Sequence, residues 1–415
     1  MQRFIGAGFI YGLFWMHPVA SVNKQGAIVM YDIEQLRREE FPHSRQIAYL
    51  NHAGIAPLPQ RAKREIQRVV EELSINPNDF FGRVGLPAMT ALQADLARFI
   101  NAASPSEIVA VTSTSAALNA VAQALPWRRG DNVLFADMEF PSNAYPWLSL
   151  AHDGVEARIV PADNGGLTLS AVAEGVNERT RVVAASAVQF FTGHRTDLAA
   201  IGRFCRERDI LFIVDAIQCI GHIPIDVQAM NIDVLATGGQ KSLLALPGTG
   251  FMYVRETLAN AMQPRLIHSN ATVNYLHWLD YDLTPLPGAA RFMSGTPNLP
   301  GILGMAASLA LLNELGVAKI DAHTTALTRY AAGELARSGC AVITPPDAAG
   351  PIVTFRSPWD APKTEEAVQF LARHNVVVVK HLDRPGAAYI RLSFHAYNIR
   401  DEIDRFLEVY RAFPG

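Results

Sequence analysis

Cysteine is scarce in this sequence. Its three residues, Cys205, Cys219 and Cys340, lie far apart, and neither a Cys-x-x-Cys pair nor a histidine at metal-ligand spacing accompanies them. An odd, scattered set argues against a disulfide framework and against a zinc site. Cys205 lies in a helical pattern and Cys219 directly after a strand pattern, so both are expected to be small buried hydrophobic residues.

Strong charge of either sign is also missing. The formal net charge is −3, and the chain has neither a polybasic stretch nor a basic periodic helix. Neither nucleic acid nor an anionic membrane is therefore favoured as a partner, and a small substrate is expected. No G-x-G-x-x-G loop follows the first strands, which argues against a plain nucleotide-binding protein.

A hydrophobic run of membrane-spanning length is not evident near the N-terminus. The apolar run 4–16 is too short for an ordinary spanning helix, although Arg3 before it and small residues after it give the outline of a signal peptide. A second methionine, Met30, precedes a helix-like segment. Residues 1–29 are therefore expected to be a leader or the product of a mis-called start, with Met30 the favoured start, and not part of the fold.

What the sequence contains indicates an α/β protein. Its 415 residues exceed what one core usually holds, so two domains are expected. From about residue 107, short β-branched runs alternate with helical patterns, which is typical of crossover units around a mostly parallel sheet. After the helical stretch 301–316 the segments become more mixed, which places the border of a smaller second domain near residue 300. The clearest elements are strands at 181–188, 210–216, 232–239 and 251–255 and a helix at 198–209 with Asp197 as its N-cap.

Ligands of open parallel sheets collect at the carboxyl ends of the strands, where Asp215, Gln218 and Lys241 are expected. An amine such as that of Lys241, held in a partly desolvated place after two glycines, can become a neutral nucleophile that forms Schiff bases with aldehydes. Asp215 ends a strand so apolar that its carboxylate needs a specific partner, and a pyridinium N–H is one. Gln218 is placed to donate to the phenolic oxygen of such a ring. The alternatives are a solvated loop lysine and a turn-forming or helix-capping aspartate.

The segment VTSTSAALNAVAQAL places several hydroxyl-bearing residues immediately before a helical pattern. The free N–H groups at a helix N-terminus, the helix dipole and the hydroxyls of Thr114 and Ser115 together suit a phosphate. Plain N-capping is the alternative, although it needs one hydroxyl rather than a cluster.

With these segments in this order, the sequence resembles the class V aminotransferases, the family of pyridoxal-phosphate (PLP) enzymes that includes cysteine desulfurases, C–S lyases and isopenicillin N epimerase. The resemblance implies PLP fold type I: an α/β large domain with a mostly parallel sheet at 66–299 and a smaller α+β domain at 300–415, on which an N-terminal segment at 30–65 packs. The motifs that carry it are YLNHAGIAPLP (49–59), STSAALN (113–119), DMEFPSNAYPW (137–147), VDAIQ (214–218), TGGQKSLLALPGTGFMYV (237–254), SGTPN (294–298) and RLSFHAYNIRDEID (391–404).

The resemblance also implies roles for single residues. Lys241 would hold PLP covalently, with Asp215 at the ring nitrogen and Gln218 at the ring oxygen. The phosphate would be bound by Thr114 and Ser115, and by Thr296 of the neighbouring subunit, which implies a two-fold homodimer. Further roles fall to Phe140, stacked on the cofactor face, and to Arg391, which would clamp the substrate carboxylate unless it forms a structural ion pair.

Two departures from the family pattern limit what carries over. Many relatives have a serine and a histidine just before the lysine, where this chain has Gly238, Gly239 and Gln240, so phosphate binding there would fall to Thr237 or Gln240. The loop that holds the persulfide-forming cysteine of cysteine desulfurases corresponds to VVVVKHLDRPGAAYIRLS (376–393), which contains no cysteine. Persulfide transfer is therefore disfavoured, while the chemistry of the cofactor is unaffected.

The expected function is a PLP-dependent aminotransferase or C–S lyase that acts at the α-carbon of a small amino acid through Lys241, without a persulfide cysteine. Lys241 would be the general base. Epimerisation stays open, and so does a PLP-bound assembly or carrier partner of sulfur metabolism with little turnover of its own. The cytoplasm, where such a cofactor is normally loaded, is the expected location.

Overall fold

A computed structural model describes residues 31–414 of the chain. The expectations about residues 1–29 and a start at Met30 lie outside the described residues.

The helices and strands alternate along most of this range. The α-helices are α1 (Ile33–Glu39), α2 (Gln60–Ile75), α3 (Pro77–Phe80), α4 (Leu86–Phe99), α5 (Thr114–Ala124), α6 (Tyr145–Ser149), α7 (Leu169–Gly175), α8 (Leu198–Arg206), α9 (Glu256–Ala261), α10 (Leu299–Leu315), α11 (Val317–Arg337), α12 (Ala361–Arg373) and α13 (Arg400–Arg411). The strands are β1 (Ala48–Tyr49), β2 (Ile108–Val111), β3 (Asn132–Ala136), β4 (Glu156–Val160), β5 (Thr180–Ser186), β6 (Leu211–Asp215), β7 (Val234–Gly238), β8 (Gly250–Val254), β9 (Ala341–Val342), β10 (Ile352–Arg356), β11 (Val376–Val377), β12 (Val379–Leu382) and β13 (Ala388–Ser393).

The large sheet has seven strands in the order β2-β8-β7-β6-β5-β3-β4. Its strands are parallel except β8, which runs antiparallel to both neighbours. The link from β7 to β8 contains no crossover helix, and a parallel pair requires one, so an antiparallel pair results. The predicted α/β class with a mostly parallel sheet is confirmed.

Helices cover both faces of this sheet, which explains why its central strands are apolar throughout. In β6, Phe212 and Val214 pack into the core on one face and Ile213 packs into the core on the other. A strand with water on one face would alternate apolar and polar residues instead.

The helix predicted after β5 forms as α8, and its N-cap is confirmed because the Asp197 carboxylate accepts a hydrogen bond from Ala200 N–H at 3.0 Å. Leu198, Ile201 and Cys205 form its buried face. The helix ends at Arg206 rather than at the predicted residue 209. Asp209 adopts a φ of 55°, a left-handed conformation that cannot continue the helix.

The C-terminal part contains an antiparallel sheet with the order β12-β13-β10-β9, and β1 pairs with β11 beside it. Helix α1 also contacts this part, since Arg37 donates to the carbonyl of Tyr397 at 2.9 Å and forms an ion pair with Glu402 at 3.1 Å. The division into units at 30–65, 66–299 and 300–415 stays a prediction.

No single helix within residues 31–414 is both long and apolar enough to cross a membrane. Helices α10 and α11 meet those criteria only as a pair, and they are bent by 79° at the break between them.

Candidate active site

Three chain segments that the sequence predicted to share a site meet at one edge of the large sheet. Strands β6 and β7 are parallel neighbours, with Asp215 opposite Ala236, so both end at this edge. The N-terminus of α5 joins them because Gly238 N–H donates to the Thr114 hydroxyl at 2.8 Å. Asp215, Lys241 and Thr114 are thus brought together as expected for the carboxyl ends of strands.

Lys241 lies in a tight turn directly after β7. Leu244 N–H donates to the Lys241 carbonyl at 3.1 Å, and Leu244 itself is buried with a φ of 57°. A buried leucine in the left-handed region is strained, and such strain persists only where the surroundings impose it, often at functional sites. Ser308 provides one such restraint by donating its hydroxyl to the Leu244 carbonyl at 2.8 Å.

The ammonium group of Lys241 is mostly withdrawn from water, and its Nζ lies 5.3 Å from the centre of the Phe140 ring. Burial lowers the pKa of Lys241 to about 8; the Asp215 carboxylate opposes the shift and the Arg391 charge adds to it. The neutral amine is therefore accessible near neutral pH, which a solvated loop lysine would not offer.

Asp215 is only 3% exposed, and burial raises its pKa to about 6. Its Oδ1 accepts a hydrogen bond from Ile217 N–H at 3.0 Å, so it does form a turn. Within residues 31–414 no lysine, arginine or histidine lies within salt-bridge distance of this carboxylate. A buried carboxylate with one backbone hydrogen bond is costly, and the Lys241 charge offsets this cost in part by favouring the ionised form.

Gln218 ties the sheet edge to the loop after β1. Its Nε2 donates to the Ala53 carbonyl at 3.0 Å, and the second hydrogen of that amide remains for another acceptor. Nearby, the carbonyl of Gln240 accepts from Ala56 N–H at 2.8 Å. The loop 51–56 therefore packs against the turn that carries Lys241.

The hydroxyl cluster before α5 is divided between capping and other partners. Ser113 is the N-cap, with its Oγ accepting from Ala116 N–H at 3.1 Å. Thr114 binds Gly238 N–H, and the Ser115 hydroxyl pairs with that of Ser142 at 2.7 Å. Capping thus uses one hydroxyl, and the first turn of this eleven-residue helix keeps the other two at the site.

Arg391 reaches the site from β13 of the small sheet. It is 3% exposed, and it donates to the Phe190 carbonyl at 2.7 Å and to Asn51 Oδ1 at 3.4 Å. Its Nε is buried without a partner, and burial lowers its pKa to about 10. No carboxylate of the described chain forms an ion pair with it, so the structural ion pair considered from the sequence has no acidic partner in this part of the protein.

The Phe140 ring, 40% exposed, stands beside Lys241 and packs edge-on against Phe190 with centroids 5.1 Å apart. Glu139, the preceding residue, turns inward and accepts from Ser186 N–H at 2.8 Å. Burial raises the Glu139 pKa to about 7, and the Asp215 charge contributes in the same direction.

Three further residues predicted to contact the phosphate are placed differently from Thr114 and Ser115: Thr296, Thr237 and Gln240. Thr296 is exposed and lines a cavity of about 220 Å³ with apolar residues of α4 and β8. The Thr237 hydroxyl is buried and donates to the Gly238 carbonyl at 2.9 Å, so it is already engaged. The side chain of Gln240 packs over Gly238, where an added Cβ would lie 2.5 Å from its Oε1.

Several contributors to the site were not singled out from the sequence: Asn51, Glu139, Phe190 and His381. Asn51 and Glu139 lie within the motifs YLNHAGIAPLP and DMEFPSNAYPW, and His381 lies within the cysteine-free segment 376–393. Phe190 follows the strand predicted at 181–188, so its place after a strand end was the available signal.

The structure brings together Asp215 at the end of β6, Lys241 in the turn after β7 and Arg391 within β13. Comparison with known proteins identifies the family. The sequence matches the family described as aminotransferase class-V over residues 48–406. It is 31% identical over 393 residues to the "probable cysteine desulfurase" of Methanothermobacter thermautotrophicus, covering 91% of this chain and 97% of that protein. The chain belongs to the class V aminotransferase family and is a PLP-dependent enzyme.

Solved structures share the fold. The apo cysteine desulfurase of Thermococcus onnurineus has a TM-score of 0.82 at 23% identity, covering 92% of this chain and 98% of that one. The cystine C–S lyase C-DES, in complex with cysteine persulfide, has a TM-score of 0.80 at 21% identity, covering 89% and 99%. The predicted family and fold type are confirmed.

Proposed function

We propose that this protein is a C–S lyase that uses PLP on Lys241 to release sulfur by β-elimination from a small α-amino acid, without forming a persulfide on a cysteine. The observation that carries the proposal is a pair of buried charged side chains, Asp215 at the end of β6 and Arg391 within β13, neither of which forms an ion pair within residues 31–414. The Lys241 charge acts on Asp215 only from beyond salt-bridge distance, and a cofactor with a ring nitrogen would supply Asp215 with a direct partner, as a substrate carboxylate would for Arg391.

The residues present fit the cofactor. Lys241 would bind its aldehyde, Asp215 its ring nitrogen and Gln218 its phenolic oxygen, while Phe140 would cover its face. The N-terminus of α5, with Thr114 and Ser115, would hold the phosphate, since free N–H groups and hydroxyls suit an anion. When bound, PLP provides an electron sink for the bond cleaved at the substrate α-carbon.

The chain's own groups account for binding and proton transfer. Arg391 binds the substrate carboxylate, with its unpartnered Nε–H and its remaining N–H groups as donors. Lys241 Nζ, whose pKa burial lowers to about 8 in the cofactor-free protein, would accept the proton from the α-carbon. The bond between the β-carbon and sulfur then breaks with its electron pair on sulfur, so an S-substituted cysteine and one water yield a thiol, pyruvate and ammonia.

The segment that replaces the persulfide loop supports direct release of sulfur. It forms a short hairpin between β12 and β13, closed by Asp383, which accepts from Ala387 N–H at 2.7 Å and from the Tyr389 hydroxyl at 3.0 Å. Arg384 anchors this turn to the large sheet by donating to the Asp137 carbonyl at 2.5 Å. An anchored hairpin without cysteine is unsuited to carrying sulfur away.

Replacing all three cysteines with alanine is expected to leave turnover within about threefold of wild type. Cys205 and Cys219 are buried, and burial raises the pKa of each thiol to about 12; the pKa of Cys340 is raised for the same reason. Each is thus held as a poorly nucleophilic thiol. The change costs on the order of 1 kcal/mol at each buried site, so thermal melting must accompany the assay. Loss of turnover in a folded variant, with substrate protecting one thiol from alkylation, would restore the desulfurase mechanism.

The function itself is tested by incubating the loaded wild-type enzyme with single amino acids, including L-cysteine and S-substituted cysteines. We expect pyruvate and sulfide or thiol without any added oxo-acid acceptor. Accumulation of pyridoxamine phosphate would indicate transamination instead, inversion at the α-carbon would indicate an epimerase, and no turnover would favour a carrier or assembly partner.

We also propose that the enzyme is a homodimer whose interface includes a hydrophobic segment at 266–283. Within it Trp278, Leu279 and Tyr281 are 74%, 91% and 88% exposed. Apolar patches of this kind on a folded chain mark protein contacts. The exposed Thr296 has the freedom to reach a neighbour's phosphate site, as the family resemblance implies.

For this interface, light scattering is expected to give about twice the chain mass of 45.3 kDa. The double variant Trp278→Asp, Leu279→Asp should shift the protein towards monomer and lower its activity, because it places charges in a desolvated contact. Ile75→Asp, at an equally exposed apolar residue on α2, is the matched control. An active wild-type monomer would contradict the proposal.

A further inference from the structure

His381 on β12 is placed beside Arg391 by the register of the small sheet. His381 pairs with Tyr389 and Val379 pairs with Arg391 across the β12–β13 ladder. Directly paired residues share a face, and so do alternate residues of one strand, so His381 and Arg391 are diagonal neighbours on the same face. The same face carries Thr354, whose hydroxyl donates to the Phe191 carbonyl at 2.5 Å. This face of the small sheet therefore lies against the segment after β5.

Aromatic rings connect His381 to the lysine. The imidazole lies edge-on to Phe190 and Phe191, with centroids 5.8 and 5.9 Å away. Phe190 in turn contacts Phe140, the ring beside Lys241 Nζ. His381 thus shares a sheet face with Arg391 and is linked to the surroundings of Lys241 through two aromatic rings.

Two buried nitrogen atoms on this face have no partner in residues 31–414: Nε2 of His381 and Nε of Arg391. Buried polar atoms are nearly always hydrogen-bonded, so two atoms without partners on one sheet face are suited to a ligand that bonds both. The substrate carboxylate accounts for the guanidinium. The imidazole nitrogen would then bond a different part of the same ligand.

His381 is held neutral. Burial lowers its pKa to about 3, and the positive charges of Arg391 and Lys241 act in the same direction. Other charged groups near this hairpin have partners of their own: Lys380 pairs with Glu365, Arg384 pairs with Asp137, and Asp383 accepts from the Tyr389 hydroxyl. A neutral imidazole has one N–H donor and one acceptor, and its proton is available for hydrogen bonding but not for full transfer.

We propose that His381 is a positioning and specificity residue that hydrogen-bonds the sulfur-bearing substituent on the substrate β-carbon. The inference rests on the function proposed above. Nε2–H would donate to the sulfur as the electron pair of the broken bond localises there, and the nearby cations favour that negative charge. The hydrogen bond orients the leaving group, and solvent supplies the proton that completes the thiol.

The test compares His381→Leu, which keeps an apolar side chain against Phe190 and Phe191, with His381→Gln, whose amide N–H can occupy the place of Nε2–H. With an S-alkyl cysteine, His381→Leu should lower kcat/KM by roughly 10- to 100-fold, and His381→Gln should recover most of it. With β-chloro-L-alanine, whose chloride leaves without such help, the loss should be at most about threefold. His374→Leu, at an exposed histidine at the end of α12, is the matched control.

The pattern across leaving groups separates positioning from structure. An equal loss with both substrates, or no recovery in His381→Gln, would make His381 a packing residue and overturn the inference while the lyase function stands. Unchanged kcat/KM in His381→Leu would do the same. A wild-type enzyme that releases no thiol from any S-substituted cysteine would overturn the proposed function and this role with it.

Discussion

Replacing Lys241 with alanine is expected to abolish covalent attachment of PLP and to reduce turnover by roughly 10²- to 10⁴-fold or more, the usual contribution of a positioned general base. Borohydride reduction followed by mass spectrometry of the peptides is the direct measurement: the wild type should carry the cofactor mass on Lys241 and the variant should carry none. Lys63→Ala, at an exposed lysine on α2, is the matched control.

The lowered pKa of Lys241 adds a pH dependence to this prediction. Only the neutral amine attacks an aldehyde, so the rate at which cofactor-free protein captures PLP should rise as the pH increases through about 8 and then level off. An ordinary lysine would still be mostly protonated there. A covalent link on another lysine in the alanine variant would contradict the assignment of Lys241, and so would capture that rises only above pH 10.

Asp215→Asn is expected to retain PLP and to lose turnover by roughly 10- to 100-fold, because a hydrogen bond to a charged group contributes about 1.5–3 kcal/mol. Asparagine keeps the size of aspartate and can still accept from Ile217 N–H, so it removes the charge and preserves the turn. A neutral partner no longer keeps the ring nitrogen protonated. The measurements are cofactor content by absorbance and kcat with the best substrate.

Stability provides the control for this variant. Burial raises the pKa of Asp215 from 3.8 to about 6, so the folded cofactor-free protein loses stability from this group as the pH rises between those values. Cofactor-free Asp215→Asn lacks this loss and should melt no lower than wild type at pH 8. Near-normal turnover in this variant, with lower activity only in Asp215→Ala, would show that Asp215 acts as a turn former.

The sequence by itself indicated much of the site because its signals are local. The apolar pattern of β6 required burial on both faces, and the place of Asp215 at its end required a partner. The carboxyl ends of parallel strands meet at one edge of the sheet. This rule places Lys241, which follows two glycines, at the same edge as the hydroxyls before α5. Asp197 at the start of α8 is likewise a local signal, because an N-cap depends on backbone groups only three residues away.

Only the tertiary structure decided which distant groups share the site and which charges lack partners. Arg391 lies 150 residues after Lys241 in the sequence. Whether Arg391 has an ion-pair partner depends on the fold, which places no carboxylate within salt-bridge distance of it in the described chain. The same holds for His381, whose face is fixed by pairing across β12 and β13. The antiparallel direction of β8 likewise became clear only from the structure, where the link after β7 contains no crossover helix. Burial, register and the absence of a counter-charge are properties of packed chains, so no local pattern encodes them.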